Sequence, residues 1–206
     1  MMTPAQPALF TGADLRPVGG WPFADLAPMA YDLIMADPPW QFELWSSRGE
    51  EKSPQAQYRT MDLAVIAALP VADLARRDCL LWLWATFPML PQALAVLAAW
   101  RFRYVTGGVW CKATVHGKRA FGTGYVLRSA AEPFLIGKLG EPVTTRSVRN
   151  VVDAAVREHS RKPDAAYAAA EALMPGAARA DLFARQRRPG WDGWGNELGK
   201  FDGCGA

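Results

Sequence analysis

Residues 31–40 read Tyr-Asp-Leu-Ile-Met-Ala-Asp-Pro-Pro-Trp, an apolar run that ends in an acid, two prolines and a tryptophan. Pro38 and Pro39 each fix φ and lack an N–H, so the chain there holds its carbonyl oxygens rigidly and without competing local donors. The Asp37 carboxylate beside such a carbonyl makes a pair of hydrogen-bond acceptors. A pair of acceptors suits a primary amine on a flat ring, which offers two N–H donors. Trp40, with Tyr58 further along, supplies aromatic surface for that ring to stack on. The lone pair of such an amine is delocalised into its ring. Binding both N–H groups favours a pyramidal nitrogen and exposes the lone pair to an electrophile, which is catalysis by position and electrostatics. It needs no metal and no covalent nucleophile. The plain alternative is a strand-ending turn, where Asp and Pro are common.

The remaining reactive residue types form no second centre. Cys79, Cys111 and Cys204 are far apart, with no CxxC or Cys/His ligand spacing, which argues against structural zinc. His116 and His159 have no metal-like partners. The segment Trp110–Tyr125 carries Lys112, His116, Lys118 and Arg119 among aromatics and glycines, a loop whose cations suit phosphates. Arg146, Arg149, Arg161, Arg187 and Arg188 could extend that face. A net charge of only +3 permits a nucleic-acid partner without demanding one. Gly122-Thr123-Gly124 is too short for a dinucleotide fingerprint and reads as loop.

Strand and helix patterns alternate along the chain and must position these groups. YDLIMA reads as a strand and MDLAVIAAL as a helix; CLLWLWA reads as a buried strand and PMLPQALAVLAAW as a helix with proline in its first turn. FRYVTGGVWCK reads as a strand, or as a hairpin turning at Gly107–Gly108. EPFLIGK and VRNVVDAAV are further strands. KPDAAYAAAEALMPG is a helix with Tyr167, Ala170 and Met174 on one face, and ARADLFAR is the last strand. Alternation of this kind predicts an α/β fold with a mostly parallel sheet and helices on both faces. Ligands then lie beyond the carboxyl ends of the strands, where Asp37 stands. The 206 residues suit a single domain, 1–206, with residues 1–30 as an irregular arm rich in Pro, Gly and Ala. The N-terminus has no signal-peptide pattern and no apolar run approaches a membrane span, so the expected location is cytoplasmic, with reduced thiols.

Asp37-Pro38-Pro39-Trp40, YRTM with Tyr58, LLWLWAT, RSAAEPFLIGKLG with Glu132, SRKP with Lys162, DLFAR and WGNE stand in one order over residues 31–201. In that combination the chain resembles the MT-A70 family of N6-adenine methyltransferases. The resemblance implies a Rossmann-like, S-adenosylmethionine-dependent fold with catalysis at Asp37, Pro38, Pro39 and Trp40. It nominates Tyr58 and Glu132 for the substrate, alongside Lys112, Lys118 and Arg119 of the basic loop. It nominates Asp37, Lys162, Asp181, Phe183, Arg185, Asn196 and Glu197 for the cofactor. Lys162 would bind the methionine carboxylate, while Arg185, Asn196 and Glu197 would surround ribose and adenine. Two departures stand out. Arg187 and Arg188 occupy positions where eukaryotic members carry a cofactor-contacting His-Asn, and no upstream acid matches the one that binds the cofactor adenine there. The implied activity is methylation of adenine N6, in DNA ahead of RNA, with a non-catalytic nucleic-acid-binding relative as the other reading. No separate recognition domain is visible, which leaves selectivity to loops or to a partner in a homo- or heterodimer.

Overall fold

The computed structural model describes residues 20–41, 60–124, 126–158 and 161–203. Its elements, in chain order, are β1 (Tyr31–Ala36), α1 (Leu63–Ala67), β2 (Ala75–Trp84), α2 (Leu90–Ala99), β3 (Arg103–Ala113), β4 (Ala131–Leu139), β5 (Val151–Ala155), α3 (Asp164–Leu173), β6 (Arg179–Leu182) and β7 (Asp192–Trp194). They build one seven-stranded sheet in the order β5-β3-β4-β2-β1-β6-β7. β4 is antiparallel to both of its neighbours, and every other pairing is parallel. The mostly parallel α/β sheet expected from the pattern is therefore present.

The period of two along the strands sorts side chains onto two faces. Ile34, Leu81, Leu83, Ala180 and Leu182 point to the face covered by α1 and α2, through Ile66, Ala93, Val96 and Leu97. Leu33, Met35, Trp82, Trp84, Trp110, Phe134 and Val152 point to the other, covered by α3 through Ala166 and Ala170. Helices lie on both faces because strands this apolar cannot leave either one to water. Pro91 sits in the first turn of α2, where its missing N–H costs no helical bond. Among the described residues, no helix is long and apolar enough to cross a membrane.

Three features of the fold were left open or missed by the pattern. Gly107 and Gly108 do not turn: β3 runs straight through them between β4 and β5. A Cβ on Gly108 would lie 2.3 Å from the Phe134 ring and 2.3 Å from the Asn150 carbonyl oxygen, so the glycines make room for β4's aromatic and the approach to β5. β7 extends the sheet beyond the last expected strand; three residues in a Gly-rich stretch carry no periodicity to read. The irregular arm is not peripheral throughout, because Phe23 is fully buried and packs edge-on against Trp194 at 5.1 Å.

Candidate active site

β1 leads by way of α1 to β2 on one side, while β6 and β7 lie on its other side. The crevice at the carboxyl ends of β1 and β6 is thus the switch point at which open α/β sheets bind ligands. Asp37 follows β1 directly, and its N–H donates to the Leu182 carbonyl of β6 at 3.3 Å. The diproline turn is tied down on both sides. Trp40 N–H donates to the Pro38 carbonyl at 2.8 Å, a γ-turn about Pro39, and Met61 N–H donates to the Pro39 carbonyl at 2.8 Å. The carbonyls are held rigidly, as the prolines suggested, but each already accepts one donor and keeps one lone pair for a ligand.

Trp40 is packed rather than displayed. Its ring is 5% exposed, and the indole N–H donates to the Trp84 carbonyl at 3.0 Å. That bond joins the turn to the end of β2 and gives the ring no open stacking face.

A chain of four alternating charges crosses the carboxyl end of the sheet. Asp37 Oδ1 meets Lys162 Nζ at 2.9 Å, Lys162 Nζ meets Glu132 Oε1 at 2.6 Å, and Glu132 Oε2 meets Lys112 Nζ at 2.7 Å. Sheet order and side-chain parity explain the meeting. Odd-numbered positions of β1 and even-numbered positions of β2, β3 and β4 face α3, so Asp37, Trp84, Lys112 and Glu132 share one face. Asp37 and Glu132 belong to strands two apart, roughly 10 Å at normal strand spacing. Lys162, just before α3, spans that gap from above with its ammonium 5.3 Å from the Trp84 ring. Lys112 likewise lies 4.8 Å from the Trp110 ring. Glu132 and Lys162 are buried, while Asp37 keeps 24% of its side chain exposed. Burial opposes the charge on Glu132, but the Lys162 and Lys112 ammonium groups outweigh it and hold the carboxyl below the ordinary range. A cation is poorly placed at a helix N-terminus; here Asp37 and Glu132 supply the compensating negative charge, since Asp164 in the first turn of α3 is already held by Arg157 and Arg188.

Beside Asp37, β6 is followed by Phe183, whose φ of +63° is unusual for a residue with a side chain. Its ring packs edge-on against Trp194 at 5.3 Å. The tail folds back over this bend, with Ala184 N–H donating to the Trp194 carbonyl at 2.9 Å. Only glycine fits at 195, because a Cβ there would lie 2.6 Å from the Ala184 carbonyl oxygen. Arg185 and Glu197 face each other across this fold at 3.4 Å, and Asn196 is exposed.

A family model described as MT-A70 matches residues 31–197, a span that holds Asp37, Glu132, Lys162 and the Phe183–Glu197 fold. The chain belongs to the MT-A70 family. This MT-A70 chain is 29% identical over 194 residues to the Type II methyltransferase M.MunI of Mycoplasma sp., covering 85% of this chain and 81% of that protein. It is 33% identical over 173 residues to the N(6)-adenosine-methyltransferase MT-A70-like of Arabidopsis thaliana, covering 82% of this chain and 24% of that one. It is 28% identical over 189 residues to the N(6)-adenine-specific methyltransferase METTL4 of Homo sapiens, covering 83% and 38%. It therefore spans most of the Mycoplasma protein and well under half of the two eukaryotic ones. The family is one of N6-adenine methyltransferases with a Rossmann-like fold, in keeping with this sheet.

Not every nominated residue of the MT-A70 chain lies open to the crevice. Asp181 faces α3, is 4% exposed, and accepts from the Tyr167 hydroxyl at 2.9 Å. Burial, reinforced by the nearby Asp37 charge, pushes its carboxyl up to about 7 against the opposing Tyr167 bond and the Arg188 charge. Lys112 is built into the ion chain at the base of the basic loop, whereas Lys118 and Arg119 are exposed on it. Tyr58 and His159 lie outside the described residues. Trp84 and Arg188 carry more than the sequence suggested, the first under Lys162 and the second 3.7 Å from the Tyr167 ring. The spacing of Trp82 and Trp84 was the available signal, since it puts both on one face. A groove of about 290 Å³, lined by Trp82, Phe134, Ile136 and Arg149, opens toward the amino end of the parallel strands, away from Asp37.

Proposed function

We propose that the chain transfers a methyl group from S-adenosylmethionine to the N6 amine of adenine in DNA. The observation that carries this reading is Asp37, a partly exposed carboxylate at the switch point, fixed beside the rigid Pro38–Pro39 turn and braced by a buried Lys162. The residue set suits the cofactor: Lys162 offers a cation to an amino-acid carboxylate, and Glu197 and Asn196 offer acceptors and a donor beside the Phe183 bend. When bound, S-adenosylmethionine supplies an electrophilic methyl group on a sulfonium that leaves as a neutral thioether. The chain's part is to bind and orient. Asp37 and the remaining lone pair of the Pro38 carbonyl accept the two N–H bonds, which directs the nitrogen lone pair out of the ring plane. Lys162 holds Asp37 Oδ1 at 2.9 Å and so keeps the carboxylate aimed. One N6 proton, held in the Asp37 hydrogen bond, is then lost to solvent as the N–C bond forms.

DNA is preferred to RNA because the chain spans 81% of the Type II methyltransferase but 24% of the relative named for adenosine. The Asp37→Ala variant tests the mechanism. It should lower transfer of labelled methyl groups to unmethylated DNA by about 100-fold or more, while keeping a native circular dichroism spectrum. Transfer at the wild-type rate would contradict the assignment.

A further inference from the structure

The connection from β3 to β4, residues 114–130, is not used by the site described above. It leaves Val115, Phe121, Val126 and Leu127 between 80% and 93% exposed. It also holds Lys118, Arg119 and Arg128 and no Asp or Glu. β3 runs in the same direction as β1, so this connection rises from the rim on which Asp37 stands. Its backbone is fixed there. Ala120 N–H donates to the Lys112 carbonyl at 2.9 Å, and Lys112 N–H donates to the Ala130 carbonyl at 2.9 Å. Gly122 N–H donates to the Ser129 carbonyl at 2.8 Å, and Ser129 N–H to the Thr123 carbonyl at 3.1 Å. Phe121 therefore neighbours the residue bonded to Lys112, and the Lys112 side chain leads through Glu132 and Lys162 to Asp37. The Arg128 guanidinium lies 5.7 Å from the centre of the Phe121 ring, and the ring is 81% exposed.

The segment has no acid of its own, and Asp153 of β5 approaches only Arg119, at 3.8 Å and in the open; an exposed ring with a cation beside it there fits a partner that is both stacked and anionic. Adenine N6 in a duplex cannot be reached until the base is extruded. Proteins that open a base step insert an apolar side chain into it. Resting on the DNA reading above, we propose that Phe121 enters the base stack at the gap left by the extruded adenine. Arg128 backs the ring, and Lys118 and Arg119 engage the flanking phosphates.

The test compares label transfer to unmethylated genomic DNA in native duplex form and after heat denaturation, for wild type, Phe121→Ala and Phe121→Trp. An exposed side chain can be replaced without unfolding, which a melting curve verifies. The expected result is a duplex-to-single-strand rate ratio that falls roughly tenfold or more in Phe121→Ala and is restored in Phe121→Trp. An unchanged ratio in Phe121→Ala, with wild type active on both forms, overturns the wedge alone. A wild type active on single strands but not on duplex also overturns it. A wild type inactive on both forms overturns the DNA assignment together with it. Light scattering that shows a wild-type dimer dissolved by Phe121→Ala would identify the surface as a contact between copies and sink the proposal.

Discussion

At the scale of the residue, the site works by pairing charges that could not be buried singly. An unpaired ionised group in the interior shifts its pKa and neutralises; Glu132 stays ionised because it has two ammonium partners. Asp181 has no ammonium or guanidinium paired directly with it among the described residues: the Tyr167 hydroxyl donates to it at 2.9 Å, the Arg188 and Lys162 charges act from further off, and burial still pushes its carboxyl up to about 7. A folded-state pKa above the ordinary 3.8 means that the native protein binds this proton more tightly than the unfolded chain does. Its contribution is fully present below pH 3.8, is lost progressively as pH rises, and levels off above about pH 7. Urea unfolding of wild type and Asp181→Asn across this range should diverge by on the order of 4 kcal/mol, with wild type losing more as pH rises. Parallel profiles would show that Asp181 is ionised in the native state. Asp37 and Glu132 were legible as types in the sequence, Asp37 from its diproline context and Glu132 only through the family resemblance. Their connection through Lys162 was not, because Lys162 stands 125 residues beyond Asp37, at the start of α3.

At the scale of the element, strands and helices follow the apolar periodicity wherever the run is long. β2 was readable from its unbroken apolar run CLLWLW, and α2 from its helical apolar spacing over 10 residues. β7 was not, and neither was the antiparallel direction of β4, since direction is set by neighbours rather than by composition. Gly107–Gly108 left strand and hairpin both open for a related reason. Two glycines signal a turn locally, but here the space they leave is filled by Phe134 from β4. Phe134 in turn stacks on Trp82 at 4.0 Å. Adding a methyl group at 108 must push this aromatic stack or the Asn150 backbone aside. Gly108→Ala should therefore destabilise the fold by about 1–3 kcal/mol, the usual range for overpacking, as read from the urea midpoint. A midpoint unchanged from wild type would mean that β3 and β4 have slack that the contacts do not show.

At the scale of the whole molecule, the carboxyl end of the sheet gathers the parts that the proposed methyl transfer would use. The switch point supplies the crevice, β1 supplies the carboxylate, and the tail folded over Phe183 supplies the neighbouring wall. The β3–β4 connection adds cations on the same rim. The most direct test of this account is to incubate the protein with isotopically labelled S-adenosylmethionine and equal pools of DNA and RNA, then digest both to nucleosides for mass spectrometry. Label in 6-methyl-deoxyadenosine is the predicted result, and label confined to RNA, to 4-methylcytosine or to protein would contradict it.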